Sequence, residues 1–336
     1  MARYFRSDLG QNARVSTEIT GYAVSTFIFL HEHSGGSPGY LDAAVRAARF
    51  LTRVAWDPNL GTFPFEVASN TGDSPALAYF FDCGIIVRGL LSAWRVTQET
   101  EFRDIAIAAG RSMLTDFQAG QTFHPILELP EKRPRAWEAR WSASPGCYQL
   151  KSAMAWQLLF EATGQPDFIC GYEAALKAAL ENDHAFLAVD SDQLRTMDRL
   201  HAYAYFLEGL LPVLDRPECA RAFRDGVDRA GRLLRQIAPV FARSDVYAQL
   251  LRARLLGEAH GVMPLDETSA AHEAEQAASF QIASGGFLFG RKQGEALPFV
   301  NPVSTAFCVQ ALGWWNDRLN RASQLSTQLD SKCGVI

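Results

Sequence analysis

The 336-residue sequence predicts an all-α chain arranged as a ring of helical hairpins. Three observations predict it. Six segments repeat one design, a polar or small-residue head followed by a nearly apolar run, at spacings of roughly 45–65 residues. Between them lie segments with one apolar stripe at i, i+3, i+4 and i+7 and one charged face. Strand-like alternation is almost absent, apart from short stretches such as "GTFPFEV" and "GGFLFG". A helix that is apolar all round is buried, and a striped helix lies at a surface. Six buried helices shielded by striped partners close into an (α/α)6 barrel, or toroid. An open superhelix of the same hairpins is the alternative. Ordinary solenoid arrays have shorter, more regular repeats and no long aromatic loops.

The elements follow in order. "EITGYAVSTFIFL", from Glu18, is the first inner helix; "HEHSGGSPG" turns the chain into the outer helix "GYLDAAVRAARFLTRVA". After a return loop over Trp56–Ala78, "FFDCGIIVRGLL" from Phe80 is the second inner helix. The turn "RVTQET" and the outer helix "EFRDIAIAAGRSMLTDF" follow it. A second return loop, Gln118–Trp141, leads to "SPGCYQLKSAMAWQLL" from Ser144, the turn "EATGQPD" and the outer "YEAALKAALENDHAF". The fourth pair is "DRLHAYAYFLEGLL" from Asp198 with "CARAFRDGVDRAGRLLRQIA". The fifth is "RSDVYAQLLRARLL" from Arg243 with the weaker "SAAHEAEQAASFQ". A third return loop, Gln281–Phe299, precedes the last inner helix, "VNPVSTAFCVQAL" from Val300. The turns use Gly, Pro and helix-capping residues. No Pro/Ser-rich linker cuts the chain, so a single domain over 1–336 is expected, with 1–15 and 322–336 as peripheral tails.

Composition excludes several function classes. Hydrophobic residues make up 48% and charged residues 21%, the balance of a globular protein rather than a disordered one. Net charge is −5, the pI is near 5.8 and no Lys/Arg-rich tract exists, so no nucleic-acid partner is expected. The N-terminus lacks the apolar core of a secretory signal, and no apolar run reaches the ~18–20 residues of a membrane span. Cys83, Cys147, Cys170, Cys219, Cys308 and Cys333 are scattered without CxxC spacing. They read as reduced thiols of a cytoplasmic protein. No GxGxxG or Walker loop follows a strand, so no nucleotide cofactor is expected; metal and organic cofactors are not expected either. Oligomeric state is left open.

In a closed ring the inner helices run the same way. Their heads and the return loops then meet at one mouth, which is where a site belongs. The heads supply Glu18, Thr20 and Tyr22; Asp82 and Cys83; Cys147, Tyr148 and Lys151; Asp198, Arg199, His201, Tyr203 and Tyr205; Arg243, Asp245, Tyr247 and Gln249; Asn301, Ser304 and Thr305. The loops add Trp56, Phe63, Phe65, Glu66, His124, Trp137, Arg140, Trp141, Phe287 and Phe289. Aromatic faces beside carboxylates and arginines suit sugars, which present apolar C–H faces and polar hydroxyls. His201 and Asp245 are the first candidates for proton transfer, with Asp82 and Tyr148 next. Arg199 and Arg243 are candidates to grip a carboxylate through their planar forks. Glu18, Tyr22, Trp56, Glu66, Arg140, Trp141, Tyr203, Tyr247, Asn301 and Phe287 are candidate substrate contacts. Plain structural roles compete: Asp82, Asp198 and Asp245 suit helix caps, Arg243 and Asp245 suit an ion pair, and a histidine in an aromatic helix suits a core. Tyr203 and Tyr205, two residues apart, cannot both face the cavity equally, and Tyr203 is preferred.

"HAYAYFLEGLL" resembles the inner-helix motif of the N-acylglucosamine 2-epimerase and cellobiose 2-epimerase superfamily, in which a His opens an aromatic helix ending in "GLL". "DPNLGTFPFE" and "FQIASGGFLF" resemble the Gly-aromatic loops of (α/α)6 sugar enzymes and of terpene cyclases. The combination is similar to bacterial toroid proteins associated with polysaccharide biosynthesis. The resemblance implies a toroid that acts on sugars. For an epimerase it implies proton transfer by a pair of histidines, of which only His201 matches one. The zinc sets of lanthionine cyclases and prenyltransferase β-subunits are absent, and "VDSDQ" at Val189–Gln193 is a poor match to the DxDD acid of class II terpene cyclases. The leading expectation is a carbohydrate-active enzyme using side-chain acid/base chemistry on a sugar or uronic-acid residue, as epimerase, lyase or glycoside hydrolase. Its substrate would be a small molecule or oligosaccharide. A terpene-cyclase-like enzyme and a non-catalytic glycan-binding protein of a polysaccharide assembly system are the alternatives.

Overall fold

The computed structural model describes residues 1–66, 76–187, 192–323 and 334–336. "VDSDQ" therefore lies largely outside the described residues. The chain divides into two compact units, Met1–Arg3 with Arg14–Asp183, and Tyr4–Ala13 with His184–Ile336.

The chain opens on two short strands, β1 (Phe5–Arg6) and β2 (Gln11–Asn12), which belong to the second unit. The first unit then builds α1 (Thr17–His33) and α2 (Pro38–Phe50), the latter continued by one π-helical turn over Leu51–Ala55. Next come β3 (Leu77–Tyr79), α3 (Phe80–Thr97) and α4 (Thr100–Asp116). The strands β4 (Gln118–Ala119), β5 (Thr122–Phe123), β6 (Ile126–Glu128) and β7 (Arg133–Pro134) lead to α5 (Gln149–Thr163) and α6 (Pro166–Phe186). In the second unit α7 (Gln193–Leu210), α8 (Pro217–Ile237), β8 (Phe241–Arg243), α9 (Ser244–Ala259) and α10 (Glu267–Ala278) come first. They are followed by β9 (Gly290–Lys292), β10 (Glu295–Ala296), β11 (Phe299–Val300) and α11 (Pro302–Ser323).

In the first unit α3 packs between α1 and α5, with α2 and α4 on the outside. In the second unit α9 packs between α7 and α11, with α8 and α10 outside. Glycine permits the close approach: a Cβ on Gly84 of α3 would lie 2.5 Å from the Ser152 carbonyl oxygen of α5. One on Gly89 would lie 2.6 Å from the Gly21 carbonyl oxygen of α1. Ser152 Oγ then donates to the Phe81 carbonyl at 2.7 Å and fixes α5 on α3.

Local signals set the helix ends. The Ser16 side chain accepts from the Ile19 amide at the start of α1, and Asp266 accepts from the Ser269 amide at the start of α10. Proline stands in the first turn of α2 and α8. Gly164, at φ 69°, closes α5 in the left-handed conformation that glycine adopts freely.

The return loops are more ordered than the sequence predicts. They form small antiparallel sheets, β3–β6–β7 in the first unit and β10–β9–β8 in the second. Strands of two or three residues are too short to show a period of two, so the alternation is invisible in the sequence. The ends of the chain also depart from the peripheral tails expected. β1 lies between β11 and β2 in a third sheet, and Val335 and Ile336 are buried. Among the described residues no helix is long and apolar enough to cross a membrane.

Candidate functional site

The second unit holds a polar cluster among apolar helices. His201 and Tyr205 are four residues apart on α7, and Asp245 and Gln249 are four apart on α9, so each pair shares a face. His201 Nδ1 lies 2.8 Å from Gln249 Oε1 and 3.6 Å from Asp245 Oδ2. An amide oxygen only accepts, so Nδ1 carries a proton and donates it to Gln249. The Gln249 orientation is consistent with this, because its Nε2 approaches the His201 carbonyl at 3.5 Å. Tyr205 meets the imidazole edge-on, with ring centres 4.6 Å apart.

Asp245 is held from the other side by Arg243, a residue of β8. The guanidinium Nε and Nη2 donate to the two Asp245 oxygens at 3.0 and 2.7 Å. Nη1 donates to Asp198 Oδ1 at 2.7 Å, and the guanidinium lies 4.4 Å from the centre of the Phe289 ring. Ser304 Oγ of α11 adds a longer contact to Asp245 Oδ2, 3.4 Å. Burial would raise the Asp245 pKa, but Arg243 and His201 outweigh it and hold the carboxyl below its ordinary value. Arg243 is a correction to expectation: its fork is already occupied by Asp245 and Asp198, so it is not open to a substrate carboxylate. The lowered pKa favours the carboxylate form of Asp245 beside His201.

A second polar rung lies one turn deeper. Arg252 bonds Glu208 of α7, donates to Gln310 Oε1 of α11 at 2.9 Å and lies over Phe307 at 4.2 Å. Gln310 also donates to the Gly334 carbonyl and accepts from the Ile336 amide, both at 3.2 Å.

The first unit carries a different acid site. Glu18 and Asp82 occupy the first turns of α1 and α3. Asp82 is 5% exposed, and its Oδ2 has no hydrogen-bond partner among the described residues. Burial first, and then the neighbouring Glu18 carboxyl, push Asp82 well above the ordinary carboxylate value, against the pull of Arg3. Burial likewise pushes Glu18 up to about 7, opposed by Arg3 and Lys151. The Lys151 ammonium lies 5.2 Å from the centre of the Tyr22 ring. Tyr148 is buried; its hydroxyl donates to the Ser144 carbonyl at 3.1 Å, and Trp141 meets its ring edge-on at 5.0 Å. Burial raises the Tyr148 pKa, so it is a phenol at neutral pH.

Other candidates stand apart from these clusters. Tyr203, preferred over Tyr205 from the sequence, is fully buried, with Arg229 of α8 5.4 Å above its ring. It faces the outer helix, so Tyr205 is the tyrosine beside His201. Tyr247 packs against His272 and Phe280, again toward an outer element. Asn301 accepts from the Val303 and Ser304 amides and caps α11. Asp192, not Asp198, caps α7, which begins five residues earlier than expected. Glu66 pairs with the exposed Arg14 at 3.3 Å, Trp56 packs on Phe63 at 5.0 Å, and Phe287 is buried with its amide donating to Thr305 Oγ1 at 3.0 Å. Arg140 is exposed, and Arg199 is half-buried outside the Arg243 contacts.

One participant escaped the sequence reading: Arg3 stood in the expected N-terminal tail, with no signal to find it. Gln249 was among the expected mouth residues, and the structure gives it a partner, His201. Asp245, Gln249 and Arg252 fall at i, i+4 and i+7 of α9, as His201, Tyr205 and Glu208 do on α7. A polar stripe on an otherwise apolar helix marks the face that meets other polar groups. Among the described residues no group of three or more His, Cys, Asp or Glu could hold a metal ion.

No protein-family model matches the sequence, and no curated protein matches it. Solved structures do. A sugar epimerase from a ruminal bacterium aligns at TM-score 0.72 and 11% identity, over 95% of this chain and 92% of that one. The cellobiose 2-epimerase of Spirochaeta thermophila aligns at 0.69 and 13%, over 90% and 87%. A D-mannose isomerase aligns at 0.67 and 12%, over 93% and 90%. A polysaccharide lyase and glycoside hydrolases share the architecture. At such identities the likeness shows the fold alone, and that fold is the all-α (α/α)6 barrel expected from the sequence.

Proposed function

We propose that the protein is a carbohydrate-active enzyme that moves a proton at a sugar carbon through His201. The observation that carries the reading is the fixed imidazole. Gln249 and the anionic Asp245 hold the proton on Nδ1, which leaves Nε2 as the base. Abstraction of the C2 proton of an open-chain aldose gives an enediolate. Return of the proton by His201 to C1, with a proton passing from O2 to O1, gives the ketose; for the 2-epimer a second acid protonates C2 from the opposite face and His201 gives its proton up to solvent. As the proton arrives, Asp245 stabilises the imidazolium. The structures named for sugar epimerases and for a mannose isomerase support this choice among sugar reactions.

The test is incubation with mannose, glucose, N-acetylglucosamine and cellobiose in heavy water, followed by mass spectrometry and proton NMR. Deuterium at C2, lost in the His201→Asn variant, is the expected result. Turnover without deuterium gain, or exchange unchanged in His201→Asn, would sink the reading.

The acid pair of the first unit supports a second reading, glycoside hydrolysis. A carboxyl whose pKa burial and a neighbouring carboxyl raise can supply a general acid. In that case oligosaccharide fragments that have gained water would appear, and Asp82→Asn would abolish them.

A further inference from the structure

The first unit contains a cavity of about 390 Å³ away from Glu18 and Asp82. It is bounded by β5, the lead-in to α5 and the C-terminal half of α6. From its lining we infer an accessory subsite for an uncharged pyranose. The volume lies near the lower end of the roughly 300–1,000 Å³ that small-molecule sites occupy, so one or two sugar rings match it.

The lining is amphipathic in the way a pyranose is. α6 contributes Ala175, Ala178 and Ala179, which share one helix face and leave a flat apolar floor. Trp137 borders the cavity and is 55% exposed, unlike the mostly buried aromatics of this unit. His124 stands 6.3 Å from it, ring centre to ring centre, and supports the indole. An exposed, supported indole is the face on which C–H groups of a sugar stack. The polar partner is Asn182. Its Oδ1 is buried and has no hydrogen-bond partner among the described residues, which is rare for a native structure. A ligand hydroxyl supplies the missing donor.

Charge sets the class. Among the described lining residues the only charged one is Glu181, and no Lys, Arg or His lines the cavity. A uronate carboxylate would meet an acid and no cation, so a neutral ring is selected. The inference does not rest on turnover at His201, since it concerns different residues and binding alone.

The test uses full-length protein labelled with 5-fluorotryptophan. The Trp137 resonance is the one missing in Trp137→Phe. On titration with methyl β-glucoside it should shift saturably. With methyl β-glucuronoside it should not. In Asn182→Ala the half-saturating concentration should rise about fivefold, the loss of one hydrogen bond. Trp137 is exposed and Asn182 lies near the end of α6, so circular dichroism should confirm that both variants fold. A Trp137 resonance that ignores the glucoside overturns the proposal. So does a response unchanged by Asn182→Ala, or a preference for the glucuronoside.

Discussion

Asp245 and Asp82 hold matching places in their own units, in the first turn of an inner helix and buried, yet their pKa values move in opposite directions. Burial alone pushes both toward the neutral acid. Asp245 has the Arg243 fork against both oxygens and His201 beside it, and becomes a firm anion. Asp82 has another carboxyl as its largest charged influence and an unpartnered oxygen, and is driven toward the protonated form. The position in the fold does not decide the chemistry; the neighbour supplied by the adjoining strand or helix does. A fixed anion suits the support of a histidine base, and a protonated carboxyl suits a proton donor.

The largest expected effect tests which chemistry matters. If proton abstraction runs through His201, His201→Asn lowers C2 deuterium exchange by about 10²–10⁴-fold, the range for general-base catalysis. Asp82→Asn should then leave exchange within a few-fold of the parent. The reverse pattern would reassign the reaction to the acid pair.

The same substitution at the two aspartates should differ in stability. Asp245→Asn leaves the buried Arg243 with Asp198 alone, and loss of a partner from a buried ion pair costs about 3 kcal/mol. Asp82→Asn replaces a carboxyl that burial and Glu18 drive toward the neutral form, and should cost less than Asp245→Asn. Denaturant unfolding of the two variants measures the contrast. Equal losses would break it.

Stability should also respond to pH in opposite directions. Glu18 rises from 4.5 in the unfolded chain to about 7 when folded, chiefly through burial. Its contribution is therefore present below pH 4.5 and lost as pH rises to about 7. Asp245 is lowered below 3.8, so its contribution is present above that value and lost as pH falls through its folded pKa. Unfolding free energies from pH 3 to 8 should show the neutral-side decline shrink in Glu18→Gln and the acid-side loss shrink in Asp245→Asn. A decline between pH 5 and 7 that survives Glu18→Gln would remove Glu18 as its source.

Much of the fold was legible because helices carry their own period. "FFDCGIIVRGLL" could only be a buried helix, and α3 begins at its first residue. The sheets were not legible, because β3 and β6 are three-residue strands whose partners lie some fifty positions away. Of the site, His201 and Asp245 were visible as polar residues on apolar helices. What could not be read was which partner each would meet. Arg243 read equally as a fork for a substrate carboxylate or as the ion-pair partner of Asp245, and β8 places it on Asp245. Arg3 could not be found at all, since a charged residue near a chain end carries no periodic signal.

The smallest expected effect concerns Tyr203 and Tyr205, because helix phase alone separates them. Tyr205 touches the His201 ring, and Tyr203 is turned to α8 under Arg229. An aromatic edge contact is worth about 0.5–1.5 kcal/mol, so Tyr205→Leu should slow C2 exchange by about 2–10-fold as the imidazole loses one of its walls. Tyr203→Phe keeps the ring under Arg229 and should leave exchange within twofold. Its cost, if any, should appear as a lower melting temperature. If Tyr203→Phe slows exchange while Tyr205→Leu does not, the face of α7 assigned to His201 is wrong, and with it the partnership of His201, Gln249 and Asp245.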